Sequence, residues 1–289
     1  MPAFPTPGPV TVALDLSLVG SVHLVASDRA DTTVVVLPTR RGAPDDERMA
    51  QETRVDLTGD TLAITVPGQW RQWVMPLSGG SVDVTVELPA GSAVEGKALS
   101  VLAEGRLGRV DLKASAGDLR LGDVAAAELR ASAGSVVVGR IEGAGQVAAA
   151  AGSVRIGEVA GDATVRSSNG PVMVGTVTGT LLVKGAHAPV SVDRVTGSLT
   201  ASVSHAEIRV ERVVSGATHL TTSYGGVEVG IVEGTSAWLD LESAHGAVRN
   251  LLLPSDVPTA DGPTAEVHVR TGYGDVVVRR PESFPLAGV

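Results

Sequence analysis

Residues 117–205 read GDLRLGDVAAAELRASA (117–133), GSVVVGRIEGAGQVAAAA (134–151), GSVRIGEVAGDATVRSSN (152–169), GPVMVGTVTGTLLVKGAH (170–187) and APVSVDRVTGSLTASVSH (188–205). The copies begin at Gly117, Gly134, Gly152, Gly170 and Ala188, a spacing of 17 residues and then 18. Self-similarity at one short period is the signature of a solenoid, whose coils bury their apolar faces only against neighbouring coils. In each copy the third and fifth residues are apolar and mostly β-branched: Leu119 and Leu121, Val136 and Val138, Val154 and Ile156, Val172 and Val174, Val190 and Val192. That alternation predicts a half-buried strand. Another apolar position follows (Val124, Ile141, Val159, Val177, Val195), then a small residue at a corner (Ala126, Gly143, Gly161, Gly179, Gly197), then a second short strand. The fold expected is an all-β parallel β-solenoid of about eight coils, about 40 Å long at ~4.8 Å per coil.

Outward from the repeats the pattern stays β but loses its period. VTVALDLSL, SVHLVAS, TTVVVLP, TLAITVP and SVDVTVELP alternate well, with turns expected at Gly20, at residues 28–31, at 58–60 and at 89–91. A short helix is expected around Asp46 to Gln51. These segments predict an N-terminal β-stranded region, 1–95, capping the solenoid coils of 96–280, with a flexible tail over 281–289. Trp70 and Trp73, in GQWRQWVMP, are expected to cover an open end of the core or to meet a partner. After His205 the coils lengthen, and residues 254–263 form a loop before two more strands.

Composition narrows the function. Only 2% of residues are aromatic, which suits narrow coils better than a sandwich core. The formal charge of −9 argues against general nucleic-acid binding, which draws on clustered Lys and Arg. Without cysteine there is no disulfide or thiolate-metal framework. The opening MPAFPTPGPV lacks a basic region followed by an apolar one, and no long apolar run occurs, so membrane insertion is not expected and the expected location is cytoplasmic.

Candidate chemistry is sparse. The sequence lacks a GxSxG elbow, a GxxxxGKS loop and an HExxH pair, and the repeat is not the GGxGxD calcium type. No catalytic residue and no cofactor are expected. The residue before each turn reads Ala116, Ala133, Ala151, Asn169, His187, His205, Tyr224, His245 and Tyr273, a column that would stack in a solenoid. His187 and His205 are the weak metal-ligand candidates within it, with no third ligand at fixed spacing. Turn positions assigned to the backbone are Gly117, Gly134, Gly152, Gly170, Gly225, Gly246 and Gly274, with positive φ expected at Gly134, Gly152 and Gly170.

The recurring turn-plus-strand unit, Ala133 to Gly139 (AGSVVVG), Asn169 to Gly175 (NGPVMVG) and Tyr273 to Val278 (YGDVVV), resembles the DUF4097 family of adhesin-like β-strand repeat proteins. The opening PGPVTVALDLSLVGSVHLVAS is similar to that of actinobacterial members. The resemblance implies a β-solenoid without family catalytic residues. The resulting expectation is a non-enzymatic scaffold or binding surface. Because a solenoid's terminal coils leave unpaired backbone groups, a homo-oligomer is expected with the last strand, 275–279, or the adjoining tail at or near the contact, the alternative being a monomer whose tail folds over the last coil. The alternative is a carbohydrate-binding or carbohydrate-cleaving β-helix, for which no sequence motif speaks.

Overall fold

The computed structural model describes residues 2–66, 80–252 and 262–281, and Trp70 and Trp73 lie outside them. The chain divides into two compact units, Met1–Ile156 and Gly157–Val289, and both are built as parallel β-solenoid.

The first unit contains β1 (Ala3–Pro5), β2 (Thr11–Ser27), β3 (Asp31–Pro38), the helix α1 (Pro44–Glu52), β4 (Arg54–Thr58), β5 (Thr61–Thr65), β6 (Val82–Pro89), β7 (Ala93–Ala116), β8 (Leu119–Ala133), β9 (Val136–Ile141) and β10 (Gly145–Ala151). The strand β11 (Val154–Val159) runs across the division. The long β8 makes both faces of one coil. Its first half pairs in parallel with β9, Leu119 opposite Val136 and Val124 opposite Ile141, and its second half pairs with β10, Ala127 opposite Gly145. These register offsets reproduce the sequence repeat. Leu119, Leu121, Val136 and Val138 point inward and are at most 4% exposed. Each such side chain withdrawn from water contributes about 1.5–3 kcal/mol, and it does so only because a neighbouring coil covers it.

Parallel pairing gives way to antiparallel pairing at the start of the chain. The strand β2 pairs in parallel with β5, β6 and β7, while the hairpin β4–β5 and the sequence-distant pair β3–β6 are antiparallel, with β1 outside β3. Gly20, expected as a turn, lies inside β2. The register with β7 shifts between Leu16 and Ser21, and Gly20 takes φ 81°, where a Cβ would stand 1.6 Å from the Val82 carbonyl oxygen. Neighbours on both sides hold β2 extended, so the glycine makes a bulge instead of reversing the chain. The helix is tied down by the buried Asp46. Its carboxylate accepts from the Arg40 backbone N–H (3.0 Å), Arg40 Nε (3.1 Å) and the Ser81 backbone N–H (2.9 Å). The Arg40 guanidinium, with these N–H groups, holds that carboxyl below the usual carboxylate range.

The second unit contains β12 (Asp162–Asn169), β13 (Val172–Val177), β14 (Thr180–His187), β15 (Val190–Val195), β16 (Ser198–Val203), β17 (Ile208–Val213), β18 (Gly216–Tyr224), β19 (Val227–Ile231), β20 (Ser236–His245), β21 (Val248–Asn250), β22 (Thr264–Tyr273) and β23 (Val276–Arg279). Coils follow sequence order up to β18 and β19, with Val172 opposite Val190 and Val190 opposite Ile208. At the corners, hydroxyls donate to carbonyls of the preceding coil: Thr178 to Val159 and Thr196 to Val177 (both 3.3 Å), Ser215 to Thr196 and Thr235 to Val214 (both 2.9 Å).

Sequence order then breaks. β18 pairs with β22, and β22 pairs on its other side with β20; likewise β19 pairs with β23, and β23 with β21. The final coil is therefore inserted between its two predecessors along the chain, and the penultimate coil is the outer one. Of the strand expected at or near an oligomer contact, residues 276–278 are paired on both sides, so they do not offer an open edge.

Candidate functional site

Among the described residues, β20 and β21 each have a strand neighbour on one side only. The consequence is visible in columns that are closed elsewhere. Val248 is in register with Val276, which is fully buried, yet it is 45% exposed. Leu239 and Leu241 are in register with the fully buried Val267 and Val269 but are themselves half-buried. Trp238, on the outward face, and Leu251, just past β21, are 58% and 59% exposed. This outer coil presents an uncovered cross-section of the solenoid interior.

Two ring ladders run up to it. In the first, the ring centroids of His187 and His205 are 5.1 Å apart, His205 and Tyr224 5.0 Å, Tyr224 and Tyr273 4.9 Å, and Tyr273 and His245 4.5 Å, all stacked. Asn169 is in register with His187. The expected column of turn residues exists, with its last two members exchanged by the inserted coil. The rings of His187 and His205, the metal-ligand candidates, lie nearly parallel, tilted by 12°. Among the described residues no group of three or more His, Asp and Glu is placed to hold a metal ion.

The second ladder was not anticipated from sequence. His219 stacks on His268 with centroids 4.6 Å apart, and Trp238 lies tilted against His268 at 4.9 Å. His268 Nε2 lies 2.6 Å from Glu266 Oε1, and its Nδ1 lies 3.3 Å from Asp240 Oδ2. Glu266 foremost, with Asp240, raises the imidazole above the ordinary histidine value. Arg270 reaches Glu242 at 3.6 Å and Asp240 at 4.0 Å. Beside Trp238 an open recess is lined by Gly216, Ala217, Ala237 and Ala265 together with Ser236, Thr264 and Glu266.

The turn glycines stand where coils approach most closely. Gly134 and Gly152 have φ of 119° and 123°, and a Cβ on either would come within 2.4 Å of the carbonyl oxygen of the glycine one coil earlier. Positive φ also occurs at Gly170, Gly225 and Gly274; Gly117 and Gly246 are not in that region, but added Cβ atoms there would meet backbone oxygens at 2.1 and 2.0 Å.

A comparison with curated proteins finds no match. Among solved structures the chain is similar to a "putative adhesin" from Bacteroides fragilis NCTC 9343, at 11% identity and TM-score 0.31, covering 96% of this chain and 95% of that one. A "putative adhesin" from Parabacteroides merdae ATCC 43184 follows at 10% identity and TM-score 0.37, and a "putative cell adhesion protein" from Clostridium sporogenes ATCC 15579 at 10% and 0.24, both covering 96% of this chain and 94% of the other. The Toastrack DUF4097 family profile matches residues 16–279, nearly the whole chain from β2 to the end of β23, and the chain belongs to that family.

Proposed function

We infer that the protein is a non-enzymatic scaffold that binds other polypeptide through its outer coil, β20 and β21. The observation that carries this reading is β20 itself, ten residues long with one strand neighbour among the described residues and with half-buried leucines along its inner face. The electrostatics favour it over catalysis. Among the described residues, each carboxyl with a shifted pKa (Asp31, Asp46, Glu87, Asp118, Glu142) is shifted down by a hydrogen-bonded partner, toward the charged form. A general acid needs the opposite displacement.

Hydrogen exchange on the full chain tests the reading. Amides of β22, bonded on both sides, should be protected, while alternate amides of β20 should exchange freely. Protection of every β20 amide in the isolated chain would show the edge already occupied. Self-association of two copies through this coil is one form the binding can take, and light scattering across micromolar concentrations measures it. A second reading, carbohydrate binding, is favoured only by the exposed Trp238 beside its hydroxyl-lined recess. Quenching of tryptophan fluorescence by oligosaccharides, lost in Trp238→Ala, is its test.

A further inference from the structure

We propose that β20 accepts, as one further parallel strand, an extended segment of another protein that carries cationic side chains at two alternate positions. The proposal rests on the reading of the outer coil as a binding surface and specifies what fits it.

Sheet edges that must stay solitary are kept short or interrupted by proline, lysine or a bulge. In the first unit, β1 is three residues long and ends in Pro5, and β4 is five residues long. The sequence of β20, SAWLDLESAH, runs ten residues without proline, glycine or lysine. Of the usual protections it has only the charges of Asp240 and Glu242. Its half-buried Leu239 and Leu241 extend columns that Val267 and Val269 close in the rung below, so an incoming strand with aliphatic residues at those positions would continue the core.

The outward positions specify charge. Three in-register pairs in this unit oppose acid and base, Arg209 and Glu228 at 3.0 Å, His268 and Asp240 at 3.3 Å, and Arg270 and Glu242 at 3.6 Å, whereas Arg166 with Lys184 and Arg194 with Arg212 set like charges in register. Asp240 and Glu242 are 42% and 67% exposed and stand last in their columns, so cations on an added strand would meet an opposite charge at both positions. The segments of this sequence outside the described residues do not carry two alternate cations: 253–261 and 282–289 contain neither lysine nor arginine and 67–79 contain Arg71 alone, while β4 offers one arginine followed two residues later by Asp56. A second β20 laid parallel and in register would set Asp240 against Asp240 and Glu242 against Glu242, and the charge of −9 on each copy opposes it further. Strand addition of this kind draws affinity from backbone hydrogen bonds and specificity from alternate side chains.

The test titrates the full chain into a fluorescein-labelled, end-capped peptide, Thr-Tyr-Val-Lys-Val-Arg-Thr, and into the same peptide with glutamate in place of Lys and Arg, reading anisotropy. The basic peptide should bind saturably and more weakly as salt rises, and the acidic one should not bind. Replacing both exposed acids, Asp240→Asn with Glu242→Gln, should weaken binding by roughly tenfold while leaving the melting curve in place. Equal binding to parent and variant, or no binding although β20 amides exchange freely, overturns the proposal and leaves the outer coil as a binding surface. Full protection of β20 in the isolated chain overturns both. A stable dimer that the peptide does not displace assigns the edge to a second copy and also overturns the proposal.

Discussion

Val172 is fully buried and in register with Val190, so any substituent at that position meets another coil and not water. Val172→Asp would place a carboxylate in an apolar column and should cost about 3 kcal/mol or more, read as a lowered denaturation midpoint. Thr218 is the converse case. It occupies an inward column between Leu199 and Val267, is fully buried, and its hydroxyl has no hydrogen-bond partner. Thr222 and Thr271, also inward, donate to the carbonyls of Ala206 and Gly225. Thr218→Val should therefore stabilise the protein by about 1 kcal/mol, and an unchanged or lower midpoint would mean that the hydroxyl is satisfied. At this scale the sequence was readable wherever the repeat was regular: the alternating valines of 117–205 assign inward and outward faces directly. His187 and His205 were also placed correctly as neighbours in one column. What spacing alone could not say is that their rings lie flat on each other, which is set by side-chain torsions.

At the level of elements, β20 is held to β22 by backbone pairing and by a charged cluster, so its attachment should respond to pH. His268 on β22 is flanked by Glu266 on its own strand, by Asp240 and Trp238 on β20 and by His219 on β18, with Arg270 and Glu242 one position further along. Because its folded pKa is raised, its contribution is complete below the ordinary histidine value of about 6.5 and is lost as pH rises through the folded value. Exchange of β20 amides beyond the intrinsic base-catalysed rate should increase over that range, and His268→Gln should remove the increase. Asp46 works in the opposite direction. Its lowered pKa gives a contribution present above the ordinary carboxylate value and lost as pH falls through the depressed one, which loosens α1 in acid. The strands of the regular repeats could be read from sequence, whereas the exchange of coils could not be read from alternation, which is equally good in β20 and β22. A signal was nonetheless present. His219 and Tyr224 on β18 recur as His268 and Tyr273 on β22 with the same spacing, while β20 carries Asp240 and His245 at those columns. Matching residues column by column, instead of following chain order, points to β22 as the neighbour of β18.

For the molecule as a whole, the inserted coil makes the end of the second unit depend on the end of the chain. Among the described residues, β20 and β21 pair with the rest of the sheet only through β22 and β23. A chain ending at Leu252 should lose protection not only in the residues removed but throughout 236–250, whereas β18 and β19 should remain protected. Direct docking of β20 onto β18 in that truncated chain would show instead that rung order is not fixed by these side chains. The same arrangement has a mechanical meaning. Pro281 directly follows a strand gripped by β19 on one side and β21 on the other. A pull applied at Pro281 loads two ladders of hydrogen bonds together, where a strand at the rim carries only one. Tension on β23 thus falls on an interior rung, and β20 lies outside the line of force.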